Sequence, residues 1–232
     1  MRFNSDQIQK IGKEISSKVD GKTLFDEFSR GRYSTDASVY QIKPLGVVLP
    51  KDTNDVLSLM EYSQKNSVPL LARGGGSSQC GQTVGESVVL DYSKHQNKIL
   101  ELNVEEKYVW VQPGVVLDHL NAYLKPHGLW FPVDVSTSSR ATIGGMSANN
   151  SCGSRSLYYG NMVHNVLAIE AILDDGSIFN FDQINKNYLA TKNNQDRLYK
   201  IIDKFIDVRQ QVGGEIDANW PTTQRRVGGY NI

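Results

Sequence analysis

Residues 73–82 read RGGGSSQCGQ, placing four glycines within eight positions directly after the apolar run VPLLA. A chain without Cβ atoms can turn through positive φ and approach another backbone or an anion closely. Consecutive N–H groups in such a turn can also form a concave anion-binding nest. The segment therefore reads as a ligand loop at the end of a strand. A plain glycine linker is the competing reading, and the flanking strand-like runs VPLL and SVVLDY argue against it. Two familiar phosphate loops fail on their own terms. From Gly76 the spacing matches the ATPase loop, but Gln82 stands where the lysine must reach the phosphates. From Gly74 the dinucleotide fingerprint requires a third glycine where Gln79 stands.

The rest of the chain predicts an α+β architecture. Ile8, Ile11, Ile15 and Val19 recur at helical spacing over 6–20, and 30–38 is a polar surface loop. GVVLP (46–50) and VPLLA (68–72) are strands around a helix capped by Thr53 and carrying Val56, Leu57, Met60 and Tyr62. That β-α-β unit delivers the glycine loop at its end, where α/β ligand sites lie. A second pattern starts near 98: KILELNV and YVWVQPGV alternate around a turn at 105–107, and 115–124 is a helix stopped by Pro126. VLAIEAILDDG (166–176) pairs with SIFNF across Asp175-Gly176, and a helix follows over 196–212. Residues 1–37 read as a helical extension and 38–232 as the main domain, with lobes at about 38–97 and 98–232.

Composition limits the partners. With 25 basic and 25 acidic residues the net charge is zero, so no global field recruits nucleic acid. No apolar run is long enough for a bilayer and no signal-type stretch opens the chain, which points to the cytoplasm. Cys80 and Cys152 read as small packed thiols. The four histidines lack ligand spacing, so no metal site is expected.

A second dense region, residues 128–160, holds Thr142-Ile143-Gly144-Gly145. It could open a short helix whose free N–H groups face an anion or a ring edge. Asn150, Ser151, Ser154 and Ser156 add neutral hydrogen-bonding groups. One glycine cluster for a diphosphate and one neutral cluster for a heterocycle suggest an extended dinucleotide.

The ordered motifs RGGGSSQCGQ, P(x)9TIGGM followed by Asn150 and Gly153, YYG, and VLAIEAILDDG resemble the FAD-linked oxidases that share the vanillyl-alcohol-oxidase (PCMH-type) FAD domain. The similarity covers about 38–180 and is greatest to the D-2-hydroxyacid dehydrogenase branch, which includes D-lactate dehydrogenase, the glycolate oxidase flavin subunit and D-2-hydroxyglutarate dehydrogenase. The resemblance implies a two-lobed FAD-binding domain and oxidation of a D-2-hydroxy acid by hydride transfer to flavin. It implies that Arg73, Gly74, Gly75, Gly76, Ser77, Ser78, Gln79, Gly81 and Gln82 wrap the FAD diphosphate. It further implies that Pro132, Thr142, Gly144, Gly145, Asn150 and Gly153 follow the ribityl chain and flavin edge. Tyr159 and Gly160 then lie beside the cofactor, and the backbone at Ile169 meets the adenine.

Some relatives tether FAD through a histidine in or near the glycine loop. Ser77 and Ser78 stand in this loop without one, so dissociable FAD is expected. The cap domain that holds substrate in this family has no counterpart in these 232 residues, nor does the closing Gly-x-x-Gly strand. The ending WPTTQRRVGGYNI closes no element, and the chain reads as a fragment or one piece of a split protein, inactive alone, with no catalytic residue of its own. Arg73 is either a bidentate phosphate partner or an ordinary surface arginine, and the pair Arg225-Arg226 reads as solvated. Asp134 either accepts a bond from the cofactor or caps a turn. His164 either approaches the flavin or sits in a solvated loop. Two alternatives remain: a flavoenzyme like UDP-N-acetylenolpyruvoylglucosamine reductase, and a nucleotide-binding module without turnover.

Overall fold

The computed structural model describes residues 3–182 and 197–223, so Arg225-Arg226 and the Gly228-Gly229 pair lie outside the described residues. Helix α1 (Ser5–Ser16) opens on a capping box in which the Asn4 side chain accepts from Gln7 N–H and the Gln7 amide oxygen accepts from Asn4 N–H. Its buried face is Ile8, Ile11 and Ile15, as the spacing predicts. Strand β1 (Lys22–Leu24) and helix α2 (Glu27–Arg32) follow; the sequence reading singled out neither, and α2 runs into the stretch 30–38 read as a surface loop. A three-residue strand is too short to show a period.

Strands β2 (Gly46–Leu49), β3 (Leu70–Arg73) and β4 (Val88–Asp91), with helix α3 (Thr53–Asn66), complete the first layer. The sheet order is β1-β2-β4-β3, with β1 antiparallel to β2 and the other pairs parallel. The crossover from β2 through α3 to β3 thus leaves a gap that β4 fills. The two inner strands are buried on both faces, and their side chains alternate between two cores. Val48, Val88 and Leu90 meet α1 and α3, whereas Val47, Leu49 and Val89 meet Leu24, Tyr33 and Leu71. The α3 cap is Asp52, whose carboxylate accepts from Asn54 and Asp55 N–H, rather than the expected Thr53.

Residues 3–37 pack onto this same sheet. Asp55, at the start of α3, is buried and accepts three main-chain N–H bonds, from Asp20 at 2.7 Å, Gly21 at 3.0 Å and Lys51 at 2.7 Å. That carboxylate ties the α1–β1 turn to the β2–α3 turn.

The second half is organised around helices. A hairpin of β5 (Ile99–Asn103) and β6 (Tyr108–Val111) lies beside α4 (Leu117–Leu124), with Lys107 at φ 57° in the turn. Three short helices follow: α5 (Ile143–Ala148), α6 (Ser156–Tyr159) and α7 (Met162–Asn165). Leu117, Val133, Ala141, Met146 and Met162 form their shared core. The hairpin β7 (Ile169–Ile172) and β8 (Ile178–Phe181) turns at Gly176, φ 81°, as expected. It reaches back to the first layer, where Gln64 of α3 bonds the Asp174 carbonyl and Ile172 joins the α1/α3 core. Helix α8 (Arg197–Asn219) is longer than the sequence pattern predicts, with Ile202 buried and Phe205 exposed. Among the described residues no helix is long and apolar enough to cross a membrane.

Candidate functional site: a glycine loop against a short helix

Strand β3 ends at Arg73, whose carbonyl accepts from Tyr92 N–H at 3.1 Å, and the chain then leaves the sheet. Among the described residues the main-chain N–H groups from Gly74 through Gln79 donate to no other group of the chain. Farther along, Cys80 N–H is taken by Ser78 Oγ at 3.1 Å, and Ser78 Oγ contacts Gln82 Oε1. Gly76 at φ 63° and Gly81 at φ 73° turn the loop through conformations that favour glycine. Cys80 is exposed near the tip, against the expectation of a packed thiol, and Cys152 is half-buried.

The first glycines serve a purpose the sequence did not disclose. A Cβ on Gly74 would lie 2.1 Å from Thr142 Oγ1, and one on Gly75 would lie 2.1 Å from the Arg140 carbonyl oxygen. Gly74 and Gly75 therefore let the loop seat directly on the segment that enters α5. At the other end of α5, Gln82 Nε2 donates to Asn149 Oδ1 at 2.9 Å. Loop and helix are held side by side at both ends.

A short helix opens at this segment as expected, with Thr142 as its cap, but it does not open on free N–H groups. Ile143 N–H goes to the Val115 carbonyl at 2.8 Å, Gly144 N–H to the Pro113 carbonyl at 2.9 Å, and Gly145 N–H to Thr142 Oγ1 at 3.4 Å. The anion site expected there is already filled by the chain, because the loop ahead of α4 folds its carbonyls over the helix end. Gly144 is a packing glycine whose Cβ would meet Pro113 at 2.5 Å. Gly145 differs. It is exposed, and a Cβ there would meet only Thr142 Oγ1, at 3.1 Å.

Beyond α5 the chain turns at Asn150, φ 46°, whose Oδ1 accepts from Val163 N–H at 3.1 Å. Gly153 lies against Asp134, and the Asp134 carboxylate accepts from Ser154 Oγ at 2.7 Å and Arg155 N–H at 3.0 Å. Partial burial raises the Asp134 carboxyl, and these hydrogen bonds outweigh it, holding the group below the usual carboxylate range. Of its two expected roles, Asp134 fills the turn-capping one.

Gly160, at φ 78°, abuts the ring of His164, whose Nδ1 accepts from Asn161 N–H at 3.0 Å. His164 is thus engaged in opening α7. Tyr159 stands edge-on to Trp130 at 5.1 Å between ring centres, and the Arg155 guanidinium lies 5.0 Å over Trp130. Pro132 is half-buried beside the helical core, and Ile169 is exposed on β7 opposite Phe181. Among the described residues no hydrogen bond joins Pro132 or Ile169 to the glycine loop.

Arg73 turns back onto the chain. Its Nη1 donates to the carbonyls of Tyr33 at 3.4 Å and Thr83 at 3.3 Å, and its Nη2 to that of Thr35 at 2.9 Å. Tyr33 and Thr35 lie in residues the sequence assigned to a surface loop. Nothing in the local pattern at 33–35 signals a role beside a glycine loop 40 residues later.

The run of unused N–H groups suits a diphosphate, which takes hydrogen bonds from backbone donors without needing a lysine. The open position at Gly145, beside that run, suits the close approach of a flat or extended ligand. Both features fit a flavin dinucleotide. A family model described as an FAD binding domain matches residues 44–182. Among curated proteins, the chain is 42% identical to a D-2-hydroxyglutarate dehydrogenase of Haemophilus influenzae, over 86% of this chain and 20% of that protein. It is 37% identical to the glycolate oxidase subunit GlcD of Bacillus subtilis, over 74% of this chain and 37% of that one. Among solved structures, an alkyldihydroxyacetonephosphate synthase superposes with a TM-score of 0.65 at 20% identity, covering 79% of this chain and 36% of the other, which supports the fold. The chain spans about a fifth of the length of the D-2-hydroxyglutarate dehydrogenases it matches. With its glycine loop, its capped α5 and more than half its length inside the matched region, the chain belongs to the FAD-binding domain family.

Proposed function

We propose that this chain is the FAD-holding part of a flavin-dependent dehydrogenase that oxidises a D-2-hydroxy acid, with D-2-hydroxyglutarate the leading substrate. The substrate reading is supported by relatives named D-2-hydroxyglutarate dehydrogenase at 36–42% identity along most of this chain. The observation that carries the cofactor assignment is the run of main-chain N–H groups from Gly74 to Gln79 without an acceptor among the described residues.

In this reading the diphosphate lies on the N–H groups of Gly74, Gly75, Gly76, Ser77, Ser78 and Gln79, with Gly81 and Gln82 closing the loop. Gly145 admits the cofactor beside α5. Thr142 and Gly144 hold that helix in place, and Asn150, Gly153, Tyr159 and Gly160 continue the wall toward the flavin. Pro132 supports the wall from behind, and the backbone of β7 at Ile169 meets the adenine.

Bound FAD supplies the acceptor for a hydride leaving the substrate α-carbon. The chain supplies position and a neutral polar surface, and none of its residues is assigned the hydroxyl proton. Recognition of the substrate carboxylate is assigned to a cap domain in the part of the relatives' length that this chain does not span. The loop contains no histidine, so FAD is held without a covalent bond. A cytoplasmic location is part of the same proposal.

The test is FAD titration of the purified protein by quenching of flavin fluorescence, followed by anaerobic addition of D-2-hydroxyglutarate, D-lactate or glycolate to a form long enough to hold substrate. Micromolar or tighter FAD binding and substrate-dependent bleaching are expected. A folded protein with no affinity for FAD would overturn the cofactor assignment, and bound FAD that none of the three acids bleaches would overturn the substrate assignment.

A further inference from the structure

We propose that Arg73 is a positioning residue for the cofactor: it fastens the glycine loop to a clasp formed by residues 33–42 and takes no direct hold of the diphosphate. The proposal rests on the FAD reading above and assigns a role to a segment outside the matched domain.

The clasp is closed by its own bonds. Ile42 N–H donates to the Ser34 carbonyl at 2.9 Å, Thr35 and Gln41 form an antiparallel bridge, and Ser38 N–H donates to Asp36 Oδ1 at 2.9 Å. It grips the glycine loop at three points. The first is Arg73 on the carbonyls of Tyr33 and Thr35. The second is Thr83 Oγ1, which donates to Asp36 Oδ2 at 3.1 Å. The third is the Tyr40 ring, packed so closely on Gly81 that a Cβ there would lie 2.6 Å from it.

Three of the five guanidinium N–H groups are engaged by this arrangement. Both Nη1 hydrogens and one on Nη2 are spent on carbonyls, and the group lies 5.2 Å over the Tyr33 ring. The remaining Nε/Nη2 edge is faced by Gly76, whose Cβ would lie 2.5 Å from Nη2 and 3.1 Å from Nε. A bidentate grip on phosphate needs two parallel N–H groups on an open edge, and the loop folds over that edge. Tyr33 is fixed in turn: its hydroxyl donates to Asp91 Oδ2 at 2.6 Å, and Asp91 pairs in register with Arg73 across β3 and β4. The arginine thus joins strand, clasp and loop, and the run of free N–H groups begins at the next residue.

FAD affinity of Arg73→Lys, Thr83→Val and the double variant, at low and high salt, separates this role from a charge contact. A lysine cannot reach three carbonyls in a fan, so Arg73→Lys is expected to bind FAD about tenfold more weakly in a folded protein. Thr83→Val removes only the Asp36 bond, weakens FAD as well, and combines with Arg73→Lys to less than the product of the two losses. A loss that high salt leaves unchanged is expected, because the lesion is geometric. Near wild-type affinity in Arg73→Lys would overturn the proposal, as the retained point charge would then suffice. Unchanged affinity in Thr83→Val would also overturn it, and that variant remains informative should Arg73→Lys fail to fold. Absence of FAD binding by the wild type would instead remove the FAD reading itself.

Discussion

Gly145 and Gly75 lie in motifs that look alike, yet the structure assigns their missing side chains to different causes, and substitution separates the two. At Gly145 an added methyl meets only Thr142 Oγ1 at 3.1 Å, a hydroxyl that can yield by a few tenths of an ångström. Exchanging glycine for alanine within a helix favours folding by up to about 1 kcal/mol. In a chain of this size that corresponds to a melting shift of roughly 2–4 °C at most, reduced by the Thr142 contact. Gly145→Ala should therefore melt at or slightly above the wild-type temperature. Gly145→Leu should fold as well and bind FAD at least about tenfold more weakly, a cost of about 1.4 kcal/mol, because its side chain fills the approach beside the loop. At Gly75 the same methyl would sit 2.1 Å from the Arg140 carbonyl oxygen, a backbone atom that cannot swing aside. Overpacking of that kind costs about 1–3 kcal/mol, so Gly75→Ala should lower the melting temperature by several degrees before any ligand is added. Thermal melts without FAD and titrations with it measure both quantities. A Gly145→Leu protein with wild-type affinity, or a Gly145→Ala protein that melts several degrees early, would refute the assignment of Gly145 to the ligand face.

Two further outcomes follow from carboxylates the chain uses internally. Asp55→Ala leaves the N–H groups of Asp20, Gly21 and Lys51 without their acceptor. At about 1–3 kcal/mol for each buried orphan, a loss of several kcal/mol is expected by denaturant unfolding, and a change below about 1 kcal/mol would show that water replaces the carboxylate freely. For Asp36, burial raises the carboxyl and bonds from Ser38 and Thr83 outweigh it, holding it below its ordinary value of 3.8. A depressed folded value means that its stabilisation is present above the ordinary value and lost as pH falls through the folded one. FAD affinity should therefore drop in acid below that ordinary value, and Asp36→Asn should flatten that part of the profile; identical acid profiles would remove Asp36 from the clasp.

What the sequence disclosed and what it withheld divide along the range of the interactions. The glycine loop, the helix that opens at Thr142-Ile143-Gly144-Gly145 and the β7–β8 turn at Gly176 depend on residues within a few positions of one another, so composition and spacing reveal them. The insertion of β4 between β2 and β3 depends on pairing across the whole first layer, and no local pattern encodes it. The choice of Asp52 over Thr53 as helix cap follows the N-cap preference for aspartate over threonine, which the reading at Thr53 passed over. Most instructive is the meaning of the glycines. Read locally, Gly74 and Gly75 are signs of an approaching anion; in space they are first the condition for the loop to rest on Arg140 and Thr142, some 65 residues away in the chain. That contact presses the loop onto α5, while Arg73 and the clasp hold its other side, and only then are the N–H groups of Gly74 to Gln79 left without partners. The ligand surface is what remains after the packing demands of three distant segments have been met, which is why the motif announces a site and the tertiary contacts determine its shape.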